Sequence, residues 1–143
     1  MNAQSDSKAP VPGISVVLCT YNGGRYLAEQ LESISNQTRM PAELIACDDN
    51  STDDTVSILE EFSDRVPFCV RIVLNPKRLG STCNFDQGIR LAREEFIALC
   101  DQDDRSAPTK LEKISSILTR NALIGGVFSD AALIDGASNP IRI

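Results

Sequence analysis

The chain alternates between two kinds of hydrophobic pattern. Ile14 to Cys19 (ISVVLC) is an unbroken apolar run rich in β-branched residues, the mark of a strand buried on both faces of a parallel sheet. Leu27, Leu31 and Ile34 then fall at i, i+4 and i+7, one face of a helix. Leu44 to Cys47 predicts a second strand. Ser51, with Asp54 three residues on, predicts a capping-box start for a helix carrying Val56, Leu59 and Phe62. Cys69 to Leu74 predicts a third strand, and Phe85, Ile89 and Ala92 mark one face of the helix after it. Phe96 to Cys100 predicts a fourth strand, followed by a helix opening near Pro108 with Leu111, Ile114 and Leu118 at helical spacing. Ile124 to Phe128 and Ala131 to Ile134 are shorter β-like runs split by Ser129 and Asp130.

Strands alternating with helices at this spacing imply an α/β layer architecture around a largely parallel sheet. Residues 1–13 are polar, carry two prolines and show no periodicity, so they read as a flexible leader, with the ordered domain expected over 14–143. No internal repeat or low-complexity tract interrupts it.

At 143 residues the chain has room for one domain, and its 42% hydrophobic and 24% charged content is that of a soluble globular protein. The 5% aromatic content, with no Trp, argues against an aromatic-lined carbohydrate groove. Fourteen basic against twenty acidic residues give a net charge of −6, which disfavours nucleic acid as a partner. An anionic ligand is still compatible with that charge if a divalent cation neutralises the contact. The five cysteines form no CxxC pair and there is no His, so a zinc-type ligand set is excluded; reduced thiols in a cytoplasmic protein are expected. No apolar run approaches the roughly 20 residues of a membrane span, and the first residues do not form a signal-peptide core.

The candidate chemistry sits where the strands end. Cys19 precedes Thr20-Tyr21-Asn22, Cys47 precedes Asp48-Asp49-Asn50, and Cys100 precedes Asp101-Gln102-Asp103-Asp104. Ligands of parallel α/β sheets lie at the strands' carboxyl ends, so all three sets are expected on one edge. Five Asp side chains gathered there repel one another and raise one another's pKa, and a hard cation is the simplest remedy. Carboxylates on a tight turn can hold Mg²⁺ or Mn²⁺ while leaving positions open for phosphate oxygens. Helix capping is the competing explanation, but a helix opening near Pro108 leaves Asp101 and Asp104 too far upstream. Capping accounts better for Ser51, Asp53 and Asp54. Asp48 and Asp49 lie before that cap, where a carboxylate can accept from a base imide or a ribose hydroxyl. Tyr21 is either a stacking surface for a nucleobase or a packed loop aromatic. The cysteines read as small core residues, since no His is present to activate a thiol.

Taken together, SVVLCTYNGGRYL, ELIACDDNSTDDT, NPKRLGSTCNF and EEFIALCDQDD resemble, in order and spacing, the nucleotide-binding half of family 2 glycosyltransferases of the GT-A fold. The CDQDD form of the DxD motif points to the rhamnosyltransferase-like branch, and the likeness covers Ile14 to about Ile134. The resemblance implies a GT-A α/β/α sandwich and a nucleotide-diphospho-sugar donor, UDP- or dTDP-linked, whose base lies by Cys19, Thr20 and Tyr21 with Asp49 contacting it. Asp103 would lie near the ribose and sugar. Asp104 would be the direct ligand of Mg²⁺ or Mn²⁺ bridging the diphosphate, and Asp101 would shape the turn.

The implied activity is sugar transfer, with inversion, to an acceptor hydroxyl on a glycan or lipid-linked carrier. The resemblance places the general base and most acceptor contacts in a carboxyl-terminal half with no counterpart before Ile143, so this piece alone is expected to be inactive. A longer parent would be open to peripheral membrane association, and unpaired sheet edges to a homo-oligomer. Two positions depart from the family pattern. Phe85 stands where many relatives carry Arg, leaving Lys77 or Arg78 as weak substitutes, and Arg105-Ser106 replaces the aromatic usual after the motif.

The competing function is a non-catalytic nucleotide or metal-binding module. A dinucleotide-binding oxidoreductase is disfavoured because Thr20 to Ala28 lacks GxGxxG. A phosphoryl-receiver domain needs its acidic pair after the first strand, where this chain has Thr-Tyr-Asn.

Overall fold

The computed structural model describes residues 11–141; the first ten residues of the expected leader lie outside them. Four strands, β1 (Ile14–Thr20), β2 (Glu43–Asp48), β3 (Cys69–Leu74) and β4 (Phe96–Asp101), alternate with four helices, α1 (Leu27–Ser35), α2 (Thr55–Ser63), α3 (Ser81–Leu91) and α4 (Lys110–Arg120). The sheet order is β3-β2-β1-β4 and every pairing is parallel. This is the α/β fold expected from the alternation.

β1 and β2 are buried at every position, which is why their sequences are apolar without alternation. Successive side chains still point to opposite faces. Val16, Leu18, Leu44, Ala46 and Cys100 pack against Leu27, Leu31 and Ile34 of α1, Leu59 and Phe62 of α2 and Leu111 of α4. Val17, Cys19, Ile45 and Cys47 face the other way and meet Phe85, Leu91 and Ala92.

Three expectations require correction. The face of α3 that meets the sheet is centred on Asn84 and Gly88, while Ile89 is 39% exposed. The cause is close approach: a Cβ on Gly88 would lie 2.4 Å from Val17 Cγ1, so only glycine lets this helix sit on β1. The runs Ile124 to Phe128 and Ala131 to Ile134 are not strands; that region is irregular apart from one antiparallel bridge between Ile134 and Pro140. Apolar residues form a strand only with a neighbour to complete the ladder, and none pairs with the free edge of β4 among the described residues. Finally, Cys19, Cys47 and Cys100 are core residues as expected, but Cys69 and Cys83 are exposed.

Candidate functional site

The strand order reverses at β1: the chain moves outward through β2 to β3, then crosses back to place β4 on the other side. Ligand crevices in such sheets open at the carboxyl ends flanking this reversal. The register brings the polar tips together there. Thr20 lies opposite Asp48, and Cys19 lies opposite both Cys47 and Asp101.

The β1–α1 loop is held almost entirely by its neighbours. The Asn22 N–H donates to Ser51 Oγ (2.9 Å), the Gly23 N–H to Thr55 Oγ1 (2.8 Å) and the Gly24 N–H to Asp53 Oδ2 (3.0 Å). Asn22 returns the contact by accepting from the Thr52 N–H at 2.8 Å. On the other flank the Gln102 amide pairs with the Tyr21 peptide as a strand would. Its Oε1 accepts the Tyr21 N–H at 2.8 Å, and its Nε2 donates to the Tyr21 carbonyl at 3.1 Å. Gln102 therefore ties the first loop to the Asp101–Asp104 turn, a role not expected from sequence.

Asp48 and Asp53 hold loops in place and are not open to a ligand in the way the sequence suggested for Asp48. Asp48 accepts from the Thr20 hydroxyl (2.9 Å), the Ser51 N–H (2.8 Å) and the Ser51 hydroxyl (2.5 Å), and it is buried. Asp53 accepts from the Thr55 N–H and hydroxyl as well as from Gly24. The capping box expected from Ser51 and Asp54 does not form: Ser51 Oγ is engaged by Asp48 and Asn22, and α2 starts at Thr55 with no side-chain cap.

Asp49 clasps the β3–α3 loop. Its Oδ1 accepts the Leu79 N–H (2.6 Å) and the Asn75 amide (3.2 Å), and its Oδ2 accepts the Gly80 N–H (2.9 Å). Burial alone would raise its pKa, but these N–H groups, with Arg78 nearby, hold the carboxyl below the usual range. Gly80 itself sits at φ 84°, ψ 157°, a region that L side chains avoid and glycine adopts without strain.

Arg78 stands over this group. Its guanidinium carbon is 3.8 Å from the centroid of the Tyr21 ring and its Nε is 4.0 Å from Asp49 Oδ2, with the side chain 63% exposed. Arg78, expected as only a weak substitute for the family's Arg, is thus at the site, whereas Phe85 is partly buried against Val17, Cys19, Ile45 and Cys47. Tyr21 carries a cation on its ring, which makes it more than a loop filler.

The Asp101–Asp104 turn borders the same edge. Its main chain is anchored by Gln30 of α1, whose amide donates to the Asp101 carbonyl at 3.1 Å. Partial burial, then the charges of Asp104 and Asp103, raise the Asp101 pKa. Asp103 and Asp104 are exposed and accept no hydrogen bond among the described residues. They line a cleft of about 210 Å³ with Tyr26, Glu29, Arg105 and the turn from Ile134 to Ser138. No three acidic or thiol side chains converge into a protein-only metal cage among the described residues. Two free carboxylates on one turn still fit Mg²⁺ or Mn²⁺, since such ions take one or two carboxylates and complete their shell with water and phosphate.

Cys19 and Thr20 contribute backbone more than chemistry. The Thr20 hydroxyl is spent on Asp48. Burial, with the nearby Cys47, Asp101 and Asp49, pushes the Cys19 thiol up to about 12, so it stays protonated at neutral pH.

The expected residues therefore fall into two joined groups: Cys19, Thr20, Tyr21 and Asp49 at the tips of β1 and β2, and Asp103 and Asp104 on the turn after β4. Residues 15–131 match the family described as Glycosyl transferase family 2, and the chain belongs to that family. It is 36% identical to an uncharacterized glycosyltransferase of Haemophilus influenzae over 110 residues, covering 77% of this chain and 34% of that protein. It is also 33% identical to the chondroitin synthase of Escherichia coli over 131 residues, covering 92% of this chain and 19% of the synthase. The chain thus spans about a third or less of these curated relatives.

Solved structures carry the same GT-A architecture. S. aureus TarS 1-349 in complex with UDP-GlcNAc superposes with a TM-score of 0.69 at 25% identity, over 76% of this chain and 31% of that one. The mannosyltransferase PcManGT from Pyrobaculum calidifontis, in complex with GDP-Man and Mn²⁺, gives 0.69 at 26% identity, over 75% and 32%.

Proposed function

We propose that residues 14–143 form the donor-binding part of a metal-dependent, inverting glycosyltransferase of the rhamnosyltransferase-like branch, acting in the cytoplasm on a glycan or lipid-linked acceptor. The observation that carries this reading is the Gln102 bridge. It fixes the Tyr21 loop against a turn whose Asp103 and Asp104 keep their oxygens free. The base is assigned to Tyr21 and Asp49, the ribose and sugar to Asp103, and the cation to Asp104. The complexes of TarS with UDP-GlcNAc and of PcManGT with GDP-Man and Mn²⁺ support the ligand class.

A divalent cation, when bound, supplies charge stabilisation for the departing nucleoside diphosphate. The chain's own residues bind and orient the donor so that its anomeric carbon is presented to an acceptor hydroxyl. A carboxylate base for that hydroxyl is assigned to no residue of this chain.

Titration calorimetry with UDP and dTDP in Mn²⁺ tests the reading. Binding to the wild type that weakens at least about tenfold in Asp104→Ala, as expected for loss of a charge-assisted contact, supports it. Unchanged affinity refutes the assignment of Asp104.

A further inference from the structure

Helix α1 carries a polar stripe beside its apolar one. Leu27, Leu31 and Ile34 meet the sheet. Gln30, Ser33 and, just past the helix end, Gln37 fall at i, i+3 and i+7 on a neighbouring face. Both glutamines are buried, Gln30 completely. A buried amide is tolerated only where its hydrogen bonds are made, so the partners of these three define the stripe's role. Those outside the helix and its end lie between Asp101 and Leu111. Gln30 Nε2 donates to the Asp101 carbonyl at 3.1 Å. The Ser33 hydroxyl lies 2.8 Å from Gln30 Oε1 and from the Gln30 carbonyl, and its oxygen accepts the Ser106 N–H at 3.0 Å. Gln37 reaches further on, donating to the Ala107 carbonyl at 2.8 Å and accepting the Leu111 N–H at 3.0 Å.

The main chain of the acidic turn is therefore pinned at both ends, at Asp101 by Gln30 and at Ser106 by Ser33. Between those points Gln102 is engaged with the Tyr21 peptide, while Asp103, Asp104 and Arg105 make no hydrogen bond among the described residues. Arg105 has only Glu29, 3.9 Å away. Three carboxylates within four residues repel one another, so an unheld turn would spread them apart. We infer that Gln30 and Ser33 are positioning residues that keep Asp103 and Asp104 in cation-receiving shape before any ion arrives. This rests on the donor-site reading above. Neither residue touches a ligand; both act on the backbone that carries the two free carboxylates. Groups that orient a ligating side chain govern metal affinity although they never meet the metal, because a site held in shape beforehand loses less on binding. Gln37 has a separate task, since its bonds fall beyond the turn at the start of α4.

The experiment is calorimetric titration of the 143-residue chain with UDP, once in Mn²⁺ and once in EDTA, well below the melting temperature of each variant. The wild type, Ser33→Ala, Ser33→Thr and Gln30→Met are compared. In the wild type Mn²⁺ is expected to tighten UDP binding at least about tenfold, the scale of a charge-assisted contact. That gain should shrink roughly 3- to 10-fold in Ser33→Ala, the scale of one neutral hydrogen bond, and at least as far in Gln30→Met. Ser33→Thr keeps the hydroxyl and should keep the gain. Affinity in EDTA should stay within about twofold throughout, because the pinned turn is not the part that holds the rest of the nucleotide. Should Gln30→Met fail to fold, Ser33→Ala carries the test, since Ser33 is only partly buried. A gain that survives intact in Ser33→Ala overturns the inference while leaving the donor site standing. So does an equal loss with and without Mn²⁺, the mark of general loosening, and so does a Ser33→Thr as impaired as the alanine. A wild type that is indifferent to Mn²⁺, or that binds no UDP, overturns the donor-site reading itself and this inference with it.

Discussion

Asp49→Asn isolates what the carboxylate does for the protein from what it does for a ligand. The substitution keeps the shape and replaces one oxygen by an amide that can only donate. Wherever the NH₂ points, it faces a backbone N–H that previously had an acceptor: Gly80 if it replaces Oδ2, Leu79 if it replaces Oδ1. One charge-assisted hydrogen bond is lost outright, worth about 1.5–3 kcal/mol, and the bonds that remain become neutral. With the group 3% exposed, solvent does little to soften the loss. A destabilisation of about 2–3 kcal/mol is expected at pH 7, read by urea denaturation, and a melting temperature lower by roughly 6–12 °C for a chain of this size.

The pH dependence gives a second reading of the same contact. The folded-state pKa of Asp49 lies below the usual carboxylate value, so its stabilisation is present above the unfolded pKa of about 3.9 and is lost as pH falls through the folded value. The wild type should therefore lose its advantage over Asp49→Asn only in the acid range below about pH 4. Two results would refute the reasoning: variants within about 0.5 kcal/mol of each other at pH 7, the range of ordinary surface changes, or a gap that stays constant into acid.

Two other expectations follow from the same loops. Gly80→Ala meets no atom within 4 Å of its new Cβ, so its cost is purely that of φ 84°, about 1–3 kcal/mol by chemical denaturation; an unchanged midpoint would show that the loop relaxes freely. Gln102→Ala removes both bonds to the Tyr21 peptide, and at about 1 kcal/mol each the variant should bind UDP with Mn²⁺ roughly 10- to 30-fold more weakly; wild-type affinity by calorimetry would deny the bridge a part in the site.

The sheet was legible because its signal is collective. Buried parallel strands need unbroken apolar runs, and Ile14 to Cys19 and Leu44 to Cys47 are such runs, buried at every position. The strand tips were legible for the same reason, since register and parallel direction carry Thr20, Asp48 and Asp101 to one edge. What stayed hidden was how each acid spends its lone pairs. Asp48, Asp49 and Asp53 look alike in a run of carboxylates, yet two of them face backbone N–H groups of loops dozens of residues away, and periodicity says nothing about that. Gln102 was passed over because an uncharged residue between aspartates carries no charge signal. Arg78 was undervalued because its importance comes from a stack with Tyr21, 57 positions earlier in the chain. The β-like runs after α4 failed for a different reason: a strand's partner is not written in the strand.

The dependence of residues 21–24 on hydrogen-bonding groups from Ser51, Asp53, Thr55 and Gln102 sets the terms for anyone wishing to transplant this recognition surface into another scaffold. Apart from the Asn22 amide oxygen and the Gly23 carbonyl, the segment's fasteners come from outside it, so grafting it alone would leave it largely unsupported. Moved together with its three outside supports and the glutamine, it travels as a preassembled cassette whose outward-facing side chains can be exchanged while the mounting stays fixed.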